Sequence, residues 1–160
     1  MNGTRLCALL WQKSCKLCER GKGGRIKGAA NATVGCEKCV VGRFSDIEGL
    51  RDKSECKLCL PGRWSNSLGA NRESACINCP AGRFSQQKGA ISQEYCEACE
   101  AGRFSEDVGA DKQAQCLMCP AGFSQNAHGA AYCLPCNPGK ARSDEGRKVC
   151  EVCKANKFAN

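Results

Sequence analysis

Large apolar side chains are thinly scattered along this chain and never hold a helical period. The longest apolar run, Leu6 to Trp11, has Cys7 inside it and is far short of a membrane span. What recurs is a single ring between polar neighbours: Gly42-Arg43-Phe44-Ser45, Gly62-Arg63-Trp64-Ser65, Gly82-Arg83-Phe84-Ser85 and Gly102-Arg103-Phe104-Ser105. Gly122-Phe123-Ser124 keeps the motif without its arginine. So brief an apolar signal, starting at a glycine, predicts short β segments between turns. Helix is not predicted, because glycine recurs too often and no 3.6-residue apolar period persists. Phe44, Trp64, Phe84, Phe104 and Phe123 are expected to form a stacked spine, each ring packed on the adjoining unit or its cysteines. An aromatic binding stripe is the functional alternative.

The rings keep time with cysteine. CxxC pairs open at Cys15, Cys36, Cys56, Cys76, Cys96, Cys116, Cys133 and Cys150, and from Cys36 to Cys116 the period is 20 residues. A strict short period means one unit copied in tandem. A unit that small cannot bury a core of its own and needs cross-links. Glycine stands three and ten residues after the second cysteine of successive pairs, as in Gly82 and Gly89, marking two turns per unit. Asn156 takes the first of these places in the last unit, and asparagine also tolerates left-handed geometry. The expected organisation is an N-terminal segment 1–14, a divergent first repeat 15–35, five regular or near-regular repeats 36–132, a shortened repeat 133–149, and the start of a truncated repeat 150–160. The terminal units depart from the pattern, with Gly23 and Ala141 at ring positions and three residues lost before Cys133 and Cys150.

Three chemistries fit CxxC. In the first, the second cysteine of each pair bonds to the first of the next: Cys18–Cys36, Cys39–Cys56, Cys59–Cys76, Cys79–Cys96, Cys99–Cys116, Cys119–Cys133 and Cys136–Cys150, with Cys7–Cys15 at the front. Cys153 is then unpaired, and its partner is expected beyond Asn160, because Lys157-Phe158-Ala159 already occupies the Arg-Phe-Ser slot of another unit. In the second, pairs such as Cys36, Cys39, Cys56 and Cys59 hold zinc. Zinc consumes pairs two at a time, so spacers within and between sites would do different jobs, whereas consecutive spacers here carry the same signals. The third, redox catalysis, needs a thiolate tuned at a helix N-terminus, and no such helix is predicted. The uniform spacer and the odd count favour disulfides.

Composition sharpens this picture. Seventeen cysteines in 160 residues reach the level of a disulfide scaffold, and they inflate the 42% hydrophobic content. The expected fold class is small and disulfide-rich, an elongated tandem array with short β segments, turns and essentially no helix. The formal charge of +8 favours acidic partners without choosing among them. The densest basic stretch, Arg20, Lys22, Arg25 and Lys27, has no interleaved aromatics to stack on nucleic-acid bases, so no nucleic-acid partner is expected. A disulfide-rich chain needs an export route. The apolar run behind Arg5 is too short for a signal peptide, so the sequence is read as a fragment. Asn2-Gly3-Thr4 and Asn31-Ala32-Thr33 match the glycosylation sequon, making Asn2 and Asn31 candidate sites on an exported glycoprotein.

No catalytic set is visible. His128 is the single histidine and sits in a loop beside Gly129. Asp46, Glu48, Glu106, Asp107, Asp144 and Glu145 precede the second glycine of their units but form no consistent calcium-ligand series. No enzyme, cofactor or metal site is expected, and the glycines track cysteines with no strand-to-helix transition to bind phosphate.

The segment from Cys76-Ile77-Asn78-Cys79-Pro80-Ala81-Gly82-Arg83-Phe84-Ser85 through Gly89-Ala90 to Cys96 resembles the ephrin-receptor-like cysteine-rich repeats. So does Cys116 to Ser124 through Gly129 to Cys133. These repeats are related to growth-factor-receptor and TNF-receptor cysteine-rich modules. The likeness spans about residues 15 to 160 and weakens before Cys36. It implies an extracellular, rod-like, non-enzymatic array in a receptor-like or adhesive ectodomain, acting in spacing or in binding a protein or acidic glycan. A membrane would be reached only through flanking segments. The regular arginine departs from the family pattern. Arg43, Arg63, Arg83 and Arg103 would line a basic stripe for acidic glycans, or their stems would cover the rings. The rival reading is an intracellular multi-zinc protein that binds nucleic acid or protein.

Overall fold

The computed structural model describes residues 5–6, 16–24, 35–141 and 144–152. The chain divides into two compact units, Met1–Ile77 with Gln87–Gln93 and Asn78–Gln86 with Glu94–Asn160. Among the described residues no helix reaches seven residues, and regular structure consists of short strands paired antiparallel and three-residue 3-10 turns.

Within a repeat the logic is local. A left-handed glycine, Gly82 at φ +79° for example, turns the chain into a two-residue strand carrying arginine and the ring. That strand pairs with the two residues between the cysteines of the next CxxC. Arg43–Phe44 pairs with Lys57–Leu58, Arg83–Phe84 with Glu97–Ala98, and Arg103–Phe104 with Leu117–Met118. In these regular repeats CxxC is thus a short strand flanked by two buried cysteines. The first bonds back to the preceding pair and the second bonds forward. A 3-10 turn delivers the chain to the first cysteine at Lys53–Glu55, Glu73–Ala75, Gln93–Tyr95 and Gln113–Gln115. Asp52 caps the first of these by accepting the Ser54 N–H at 2.7 Å. The three residues lost before Cys133 and Cys150 are those of this turn, and bends stand in its place.

Successive repeats are stitched by backbone. In the first unit Ser45 N–H donates to the Ala70 carbonyl and Ser65 N–H to Ala90, each at 3.0 Å, beside parallel bridges Phe44–Ala70 and Trp64–Ala90. In the second unit Ser85 N–H donates to Ala110 at 3.0 Å. Gly109 and Gly129 N–H groups donate to the Cys79 and Cys99 carbonyls at 2.8 Å. These bonds explain why the interior holds serine and alanine: a small residue lets main chains meet. Ser45, Ser65, Ser85 and Ser105 are all buried.

The core is sulfur capped by rings. Phe44 packs with Cys59, Cys76 and Ala70, and Phe84 with Cys99, Cys116 and Ala110. Each ring therefore lies on the disulfide of the following repeat. Phe44 and Phe84 are 5% and 6% exposed, whereas Trp64 and Phe104 are half-buried. Phe123 corrects the expected spine. It is 38% exposed and pairs with Pro135, the place that Arg103 takes opposite Met118. With no arginine after Gly122, the ring arrives one residue early. Side chains alternate faces along a strand, so it points away from the core. Ser124 inherits the ring position, opposite Leu134 as Phe104 is opposite Leu117.

Candidate functional site

Among the described residues seven disulfides run in tandem: Cys18–Cys36, Cys39–Cys56, Cys59–Cys76, Cys79–Cys96, Cys99–Cys116, Cys119–Cys133 and Cys136–Cys150. Cys36, Cys39, Cys56 and Cys59, the tetrad that spacing would allow for zinc, are divided among three of them. Cys7, Cys15 and Cys153 lie outside the described residues, as do Asn2 and Asn31, Arg25 and Lys27, and Asn156 to Ala159.

The four arginines of the candidate stripe are half-buried, and their guanidinium groups turn back onto their own hairpins. Nη1 of Arg43 donates to the carbonyl of Cys56 at 2.8 Å and of Ser54 at 3.0 Å. Arg83 and Arg103 donate to the carbonyls of Cys96 and Cys116, each at 2.9 Å. These carbonyls end the 3-10 turn, where the backbone leaves orphan acceptors. Arginine thus fastens the turn that positions a disulfide. Arg63 differs, pairing with the Glu73 carboxylate at 2.9 Å.

The contrast is measurable. Arg103→Ala leaves a partly buried carbonyl without its charged donor and should cost about 1–3 kcal/mol. Arg63→Ala removes an exposed ion pair and should cost at most about 1 kcal/mol. Urea midpoints of the oxidised variants check the order. Equal costs would mean that the bond to the turn contributes nothing beyond surface charge.

Other polar groups form small surface contacts. Lys57 pairs with Asp46 at 2.9 Å and lies over the Phe44 ring, 5.8 Å from its centre. That hydrogen bond holds the Asp46 carboxyl below its ordinary pKa. Hydrogen bonds from Ser54 do the same for Asp52. His128 is exposed, as are Glu48, Glu106, Asp107, Asp144 and Glu145. Among the described residues no group of three or more histidine, cysteine or acidic side chains is gathered for a metal.

A cleft of about 480 Å³ opens in the sixth and seventh repeats, beside Ser124, Leu134, Val149 and Cys150, with Lys140 and Lys148 on it. Sequence reading by motif missed it, because Phe123-Ser124 was matched by residue type. Counting five residues on from Cys119 would have put serine where the ring belongs.

No curated protein matches the chain. Residues 52–96 match the family described as tyrosine-protein kinase ephrin type A/B receptor-like. Over those residues the chain is similar to ephrin-receptor-like cysteine-rich repeats, and the tandem disulfides and short strand pairs fit that likeness.

Proposed function

We propose that this chain is a non-enzymatic extracellular module of a receptor-like or adhesive ectodomain, acting in spacing and in binding protein partners. The observation that carries the reading is the bonding of consecutive repeats by disulfides, which persist in oxidising compartments and are rare in the cytosol. The family supports it, being a receptor-like cysteine-rich module that is typically non-enzymatic and works with protein-type partners. The arginines enter this function as posts of the scaffold, since three of them place Nη1 on backbone carbonyls.

Production in two compartments tests the reading. Chain exported through an oxidising lumen should be folded, and its intact mass should fall by two hydrogens for each disulfide. Chain made in the reducing cytosol should show free thiols and no protected amide core. Recovery of a folded, thiol-rich, zinc-loaded protein from the cytosol would overturn the proposal in favour of the intracellular zinc reading.

A further inference from the structure

We propose that the cleft of the sixth and seventh repeats receives an aromatic side chain from an acidic peptide segment of a protein partner. The cleft is the seat of a missing ring. In a regular repeat the side chain five residues after the second cysteine is aromatic and rests on the next disulfide, as Phe84 rests on Cys99 and Cys116. In the sixth repeat that place belongs to Ser124, and the next disulfide is Cys136–Cys150. Ser124 Oγ lies 3.1 Å from Cys150 Sγ, so the small side chain faces the sulfur that a ring would cover. A volume of about 480 Å³ is open there, within the range of binding pockets.

The walls say what kind of molecule carries the ring. Leu134 and Val149 supply apolar surface and are themselves half or more exposed. Lys140 and Lys148 stand beside them, and no carboxylate is among the described lining residues. Neither lysine has a carboxylate partner among the described residues. The chain already sets a lysine over a ring with an acid alongside, in Lys57, Phe44 and Asp46. An incoming ring flanked by carboxylates would find that grouping assembled, with cation–π and charge attraction at the rim. Buried aromatic anchors of this kind dominate protein interfaces.

This inference rests on the reading of the repeats as a partner-binding ectodomain module. Its test uses full chain whose disulfides are verified by mass, so failure here counts against the cleft and not against the scaffold. The probes are the peptides Asp-Glu-Phe-Asp-Glu, its Phe→Ala counterpart, and Lys-Lys-Phe-Lys-Lys, titrated while backbone amide resonances are followed. The first should shift the amides of Lys148, Val149 and Cys150. The other two should bind at least tenfold more weakly. Ser124→Phe, which fills the seat from within, and the double variant Lys140→Glu/Lys148→Glu should each weaken the first peptide at least tenfold. The double variant alters exposed side chains and stands in should Ser124→Phe misfold. Absence of shifts at millimolar peptide overturns the proposal, as does equal binding of the alanine or lysine peptides, or undiminished binding to the double variant. Self-association of the chain that Ser124→Phe abolishes would assign the cleft to a second copy and overturn it too.

Discussion

Replacing Cys99 and Cys116 together by alanine should cost about 4–6 kcal/mol, against about 3 kcal/mol for the same change at Cys136 and Cys150. Chain entropy alone cannot separate the two. The bonded residues are 17 apart in one case and 14 in the other, and that difference is worth only about 0.2 kcal/mol on the loop-closure model. Any larger gap reports what each bond supports. Cys99 and Cys116 are buried beneath Phe84 and Ala110, so their loss also undermines a ring. Cys136 and Cys150 are only partly buried, and Ser124 stands where their ring would be. Denaturant midpoints of the two double variants give the comparison. Because repeats can open piecemeal, hydrogen exchange at the Ser85 and Gly109 amides should be followed as well. Those amides should lose protection in the first variant and keep it in the second. Equal costs would mean that ring-on-sulfur packing adds nothing to the covalent link.

How far this fold could be read in advance follows from the range of the interactions. Turns, disulfide order and strand positions were legible because each depends on residues no more than one repeat length apart, at fixed distances from a cysteine. Gly82 needs positive φ whatever lies around it, and Cys79 finds Cys96 across a single loop. Phe123 leaves the expected spine because its distance from Cys119, not its motif, sets the face it occupies. The strand keeps its register from Gly122, so losing arginine moves the ring to the other face. The arginine role was half visible. The same residue at the same offset in four repeats signalled a repeated contact, but its acceptor is a carbonyl 13 residues on, and main-chain acceptors leave no mark in a sequence. The cleft was legible only as an offset error, a serine in the ring's column. Contacts between non-adjacent repeats left no local signal at all.

Those contacts underlie the second large effect. Gly82→Ala should cost at least about 3 kcal/mol, and Gly122→Ala about 1 kcal/mol or less. Both glycines hold the same left-handed turn, φ +79° and +83°, so the intrinsic penalty for a side chain is shared. That penalty is about 1–2 kcal/mol, less what alanine returns by stiffening the unfolded chain. Both also accept a hydrogen bond within their own hairpin, from Cys99 N–H at 2.9 Å and from Cys136 N–H at 2.8 Å. What differs is the space outside. A Cβ on Gly82 would overlap the Gly129 carbonyl and the Ala130 backbone, and backbone cannot rotate aside as a side chain does. A Cβ on Gly122 would meet no described atom within 4 Å. The alanine at Gly82 must therefore push the Gly129 turn away. That strains two more bonds, from Gly82 N–H to Ser105 at 2.8 Å and from Gly129 N–H to Cys99 at 2.8 Å. Each is worth about 1 kcal/mol. The measurement is a pair of denaturant midpoints on oxidised protein, with exchange at the Gly129 amide to locate the damage. Were Gly82→Ala to cost no more than Gly122→Ala, the glycine would serve its turn alone and the close approach of alternate repeats would contribute nothing to stability.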